Sequence, residues 1–148
     1  MSRLFITVTA LAAVTTAAFA QADLVAARKA IMGENGKHMY RALPDMVKGA
    51  TPYSQAAVDA AFAQLADANQ KLPALFVAST KDVPPSGRYG LSPKAWDNKA
   101  DFDAKLANYA KVVAAEKTKV KDVDTLKAAH AAINETCNSC HDSYRTRN

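Results

Sequence analysis

Cys137, Cys140 and His141 are the residues whose types and spacing do recognisable chemistry. The run Cys137-Asn138-Ser139-Cys140-His141 reads C-x-x-C-H, the pattern that attaches a c-type haem. Two thiols add across the two vinyl groups to give thioethers, and the adjacent imidazole is placed beneath the ring as an iron ligand. The chain has no third cysteine, so a disulfide framework does not explain the pair. Two other chemistries compete. A plain disulfide or thioredoxin-like pair normally opens a helix after a strand, where the helix N-terminus lowers a thiol pKa; this pair lies late in a helical pattern with no strand before it. A zinc site takes about four protein ligands, and only His38 and His130 remain as imidazole donors. The adjacent His141 separates haem from both. The motif predicts one covalently attached haem c with its iron, held by Cys137 and Cys140 and ligated by His141.

Four helical stretches are expected to position that motif, and no segment asks to be a strand. The first runs from about Ala22 to Met46, with Leu24, Arg28, Met32, Asn35, Met39, Ala42 and Met46 on one face at three- and four-residue spacing. Gly33 and Gly36 interrupt it at about 1 kcal/mol each relative to Ala, a cost that makes sense where something large approaches the backbone. Pro44 is expected to kink or end its last turns, and Lys48-Gly49-Ala50-Thr51-Pro52 reads as a turn. Ser54 caps a second helix carrying Val58, Phe62, Leu65 and Leu72 and stopping near Pro73. A long Pro/Gly-rich connection from Leu72 to Pro93, with a short turn at Leu75-Phe76, can cross one end of a bundle. A third helix starts around Ser92 to Trp96 with Phe102, Leu106, Tyr109 and Val113 inward. A fourth, capped by Asp122 or Asp124, puts Leu126, Ala129, Ile133, Cys137, Cys140, His141 and Tyr144 on one stripe. The fold class is all-α, an antiparallel four-helix bundle with its haem near one end.

The chain of 148 residues, 49% hydrophobic, suits one domain with one core. Arg3, the apolar stretch Leu4 to Phe19 and the ending Ala18-Phe19-Ala20 read as a secretory signal peptide over residues 1–20. The domain then occupies residues 21–148, and export points to the bacterial periplasm. About 20 apolar residues span a bilayer, so no membrane attachment is expected after cleavage. Formal net charge is +5, one less once Arg3 leaves, and the positives are scattered among negatives. That gives little support to a nucleic-acid surface and leaves mostly a solvated face, with a mild field that can steer an acidic redox partner.

In an up-down-up-down bundle the first and fourth helices run antiparallel, so His141, about one and a half turns from the end of its helix, faces a position one to three turns into the first. Met32 lies about 15 Å along the axis from Ala22, at 1.5 Å per residue; Met39 and Met46 lie further on, and His38 points off the stripe. Height and face select Met32 as the sixth ligand, although a methionine on an apolar face is also an ordinary core filler. Arg28, inward and one turn earlier, can pair with a haem propionate. Arg145 can reach a propionate or favour the helix C-terminus through the macrodipole. Tyr144 packs beside the ring or simply in the core. Asn35 is inward and polar at the haem edge, and His130 is a half-buried or surface histidine rather than a ligand.

The C-terminal Cys137-x-x-Cys140-His141-x-x-Tyr144-Arg145 resembles class II c-type cytochromes, the cytochrome c′ family, over essentially the whole of residues 21–148. Ordinary class I cytochromes carry the motif near the N-terminus. The resemblance implies a four-helix bundle. Five-coordinate members place Leu or Phe four residues after the arginine matching Arg28, where this chain has Met32. The segments Ile31-Met32-Gly33-Glu34-Asn35-Gly36 and Lys121-Asp122-Val123-Asp124-Thr125-Leu126-Lys127 look like those of the low-spin cytochromes c-556, whose sixth ligand is a methionine at this point. The resemblance therefore implies a six-coordinate electron carrier, not an enzyme, with redox partner proteins of unknown identity. Relatives often dimerise through their first two helices, whose outer faces here carry many alanines, so the resemblance is compatible with a homodimer. The rival function is a five-coordinate binder of nitric oxide or carbon monoxide, which requires Met32 off the iron or displaceable.

Overall fold

The computed structural model describes residues 9–84 and 86–148. The first eight residues of the expected leader lie outside the described residues. From Thr9 the backbone is helical and runs on through the expected cleavage point as α1 (Thr9–Lys37). Among the described residues no helix is long and apolar enough to cross a membrane.

Pro44 does more than kink the first helix. α1 passes into one wide π-helical turn, His38–Ala42, in which the Leu43 N–H bonds to the His38 carbonyl, and then into α2 (Leu43–Val47) with Pro44 in its first turn. A wide turn inserts one residue and rotates the remainder of the helix about its axis. The inward stripe consequently continues through Met39, Leu43 and Met46, while Ala42, expected inward, is exposed. The chain reverses at Lys48 and Gly49, the latter at φ +73°, a conformation that glycine alone adopts without penalty.

α3 (Gln55–Leu75) starts where Ser54 accepts from the Ala57 N–H and runs two residues past Pro73, further than expected. The connection holds one 3-10 turn, Ala78–Thr80, and a short strand β1 (Tyr89–Leu91). The expected third helix is broken at Asn98 into α4 (Lys94–Asp97) and α5 (Lys99–Lys117). α6 (Val123–Tyr144) opens on a capping box in which Asp122 and Thr125 satisfy each other's backbone N–H. His141 is thus in its last turn. The expectation of no strands is corrected here: β2 (Arg145–Arg147) pairs antiparallel with β1, Tyr89 opposite Arg147 and Leu91 opposite Arg145. Three-residue strands are too short to show a period of two. Gly90 permits the pairing, because a Cβ there would lie 2.8 Å from Thr146 Oγ1.

The first helix (α1 with α2), α3, α5 and α6 form a four-helix bundle, α1 against α3, α3 against α5, α5 against α6, and α2 closing on α6. Its apolar core comes in two pieces. One gathers Leu43, Phe62, Leu65, Val113, Leu126 and Ile133; the other gathers Leu72, Phe76, Ala95, Phe102 and Tyr144. Between them lies a cleft, and the haem motif borders it.

Hydrogen bonds from Thr125 hold the Asp122 carboxyl below its ordinary pKa. A depressed folded pKa contributes stability above the unfolded value, about 3.9, that is lost as pH falls through the folded one. Asp122→Asn keeps a capping acceptor without the titration. Denaturant melts should therefore show nearly unchanged stability at neutral pH and a shallower loss than the wild type below about pH 4.

Candidate functional site

The seven residues expected to hold the haem or its iron all border the same cleft. Its larger part, about 450 Å³, takes Arg28 and Met32 from α1, Cys140, His141 and Tyr144 from α6, and Arg145 from β2; a smaller part of about 60 Å³ takes Cys137, with Met32, Cys140 and His141 shared between the two. The larger volume falls within the roughly 300–1,000 Å³ of cofactor sites. Met46 borders neither part, and Met39 only the smaller.

Cys137 and Cys140 are free and half-buried. Burial first, and the Cys140 thiol second, push the Cys137 thiol up to about 11; burial also raises Cys140, against the lowering influence of Lys105. Neutral thiols deep in a helix are the opposite of the depressed-pKa pair a thioredoxin-like reaction uses. The His141 imidazole is lowered, by burial and then by Arg145, which favours the neutral, ligating form.

The donors present fit a haem. Among the described residues the buried side-chain polar atoms without a partner are Arg28 Nη1 and His141 Nδ1, and both residues face the cleft. Uncompensated buried polar atoms call for an explanation; here each belongs to a residue whose type suits the propionates or the iron. Arg28 is 8% exposed, its guanidinium 4.9 Å over the Phe76 ring, and burial lowers its pKa. Gly33 also borders the cleft, and a Cβ built on it would meet no protein atom within 4 Å.

Tyr144 combines core packing with a side-chain hydrogen bond. It is buried in the second core piece, edge-on to Phe102 with centroids 5.1 Å apart, and its hydroxyl donates to Asp101. Arg145 is the C-cap residue of α6, its backbone N–H bonded to the His141 carbonyl, while its guanidinium lies 4.8 Å over the Tyr89 ring. Asn35 is buried, donating to the Tyr109 hydroxyl at 3.4 Å and accepting from Gln64 at 3.3 Å. Burial raises the Tyr109 pKa, with Cys137 adding to it, so this phenol stays protonated.

Several neighbours carry no signal in the sequence. Tyr40 borders both parts of the cleft although 57% exposed; it sits in the π-turn, which no periodicity announces. Thr136 is buried beside Cys137, its hydroxyl donating to the Ile133 carbonyl. Lys105 reaches from α5 to Ser139 Oγ at 2.9 Å. Arg88 and Lys29 join Arg28 and Arg145 at the larger part, which no Asp or Glu lines among the described residues.

A helical bundle whose terminal helix carries C-x-x-C-H against such a cleft has the form of a class II c-type cytochrome. The family model described as Cytochrome C' matches residues 23–145. Cytochrome c-556 of Rhodopseudomonas palustris is 43% identical over 148 residues, 99% of each chain, and cytochrome c-555 of Bradyrhizobium diazoefficiens 38% identical over 147 residues, again 99% of each. Among solved structures, that of oxidized R. palustris cytochrome c556 superposes with a TM-score of 0.75 at 43% identity, over 85% of this chain and 98% of that one. The chain belongs to the cytochrome c′ family. Its cofactor is covalently attached haem c, and its work is electron transport.

The Tyr144 phenol is pushed up to about 12, chiefly by its bond to the Asp101 carboxylate. Asp101→Asn removes that charge, so a spectrophotometric alkaline titration should show one tyrosine ionising at lower pH than in the wild type.

Proposed function

We propose that the protein is a periplasmic one-electron carrier whose six-coordinate, low-spin haem is held by thioethers to Cys137 and Cys140 and ligated by His141 and Met32. The observation that carries this is that Met32, from α1, and His141, from α6, border both parts of one cleft from opposite elements. When bound, haem supplies a ferric/ferrous couple, and methionine/histidine ligation raises its potential.

The chain's own residues set the conditions. His141 and Met32 together leave no coordination position for a substrate, so no bond-making step is assigned and the protein is not an enzyme. Buried Arg28 would hold one propionate; Arg145, exposed beside Tyr89, would hold the other. Phe76, Phe102 and Tyr144, which line the cleft, would exclude water from the bound group. Cleavage after Ala20 delivers residues 21–148 to the periplasm. Lys29, Arg88 and Arg145, with no carboxylate among their cleft neighbours, favour an acidic redox partner. Exposed Ala26, Ala30, Ala57 and Ala60 on α1 and α3 suit close packing in a homodimer.

Met32→Leu tests the reading. The reduced spectrum should change from low-spin to high-spin, and the variant should take up carbon monoxide at least about a hundredfold faster, the consequence of losing a ligand bond of a few kcal/mol. A low-spin spectrum in the variant excludes Met32 as the ligand. Met32 is only half-buried, and a wild type that binds carbon monoxide readily would favour the gas-binding reading.

A further inference from the structure

The π-turn leaves one buried carbonyl that the first helix cannot satisfy by itself. In a regular helix the Met39 carbonyl receives the N–H of Leu43, but here that N–H goes to the His38 carbonyl. The next donor along is residue 44, a proline with no N–H. Met39 is 2% exposed, which keeps water away. The donor that reaches it comes from another helix: His130 Nε2, on α6, lies 2.8 Å from the Met39 carbonyl oxygen. A carbonyl only accepts, so Nε2 carries the proton.

We propose that His130 is a positioning residue for the haem site, holding the π-turn of the first helix in its wide form through the Met39 carbonyl. Two consequences reach the cleft. Met39 and Tyr40, the residues on either side of that carbonyl's peptide, wall the cleft beside Cys137. The same bond ties the helix bearing Met32 to the helix bearing Cys137, Cys140 and His141, seven residues before the first cysteine. His130 lines neither part of the cleft itself and acts only through Met39. The inference rests on the haem-carrier reading for its functional effect, but not for the hydrogen bond.

The test uses the haem-loaded protein with His130→Leu, His130→Gln, Pro44→Ala and the Pro44→Ala/His130→Leu double variant. Hydrogen exchange at the Leu43 amide reads opening of the turn independently of the iron. His130→Leu should raise it about fivefold or more, speed carbon monoxide uptake by the reduced protein and lower the midpoint potential. His130→Gln, which keeps a side-chain N–H, should restore much of each. Pro44→Ala supplies a backbone N–H, so His130→Leu should do markedly less in that background. If His130→Leu fails to load haem, recovery of loading in the double variant supports the proposal and failure to recover overturns it. Unchanged Leu43 exchange in His130→Leu, or an effect of His130→Leu that is equal with and without Pro44→Ala, also overturns it. A Met32 shown not to ligate iron would sink the carrier reading alone.

Discussion

The constraint on which this structure depends is a core that the chain does not complete. Helices pack stably when their apolar stripes meet, yet here Leu43, Phe62 and Ile133 close one end and Leu72, Phe76 and Phe102 the other, with the cleft between. Two half-buried cysteines and a half-buried histidine face that gap from the last turns of α6. A bundle of this size gains only about 5–15 kcal/mol in net stability, so a large unfilled apolar space would be a serious loss. Covalent haem, flat and mostly apolar, would fill that space and serve as a piece of the core as well as the redox centre. Gly33 and Gly36 fit the same picture, giving up helix propensity where the helix borders the cleft.

Charge completes the arrangement. The five ion pairs among the described residues all join lysines to acids on the surface, such as Lys99 with Asp103, and exposed pairs of this kind contribute little. The arginines Arg28, Arg88 and Arg145 make none of them and gather at the larger part of the cleft. Arginine's planar fork suits carboxylates. On the proposed reading the same concentration would meet the propionates and leave positive charge facing outward for a redox partner.

Much of this is legible from residue types and spacing. The stripe of Leu126, Ala129, Ile133 and Tyr144 is inward as its periodicity implies, and Arg28 is buried on the inward face where its spacing places it. What escapes the sequence has no local signal. Pro44 announces a disturbance in the first helix but not its kind, because a π-turn and a kink share the same missing N–H. The pairing of β1 with β2 joins residues over fifty positions apart through three-residue strands. Tyr40 and Lys105 enter the cleft only because the tertiary arrangement carries them there.

The most direct measurement is the visible spectrum of the reduced, haem-loaded protein before and after carbon monoxide. Sharp low-spin bands that carbon monoxide leaves unchanged are predicted, because on the proposed ligation Met32 and His141 would occupy both coordination positions beside the ring. A broad high-spin spectrum that shifts at once on adding the gas would contradict that ligation.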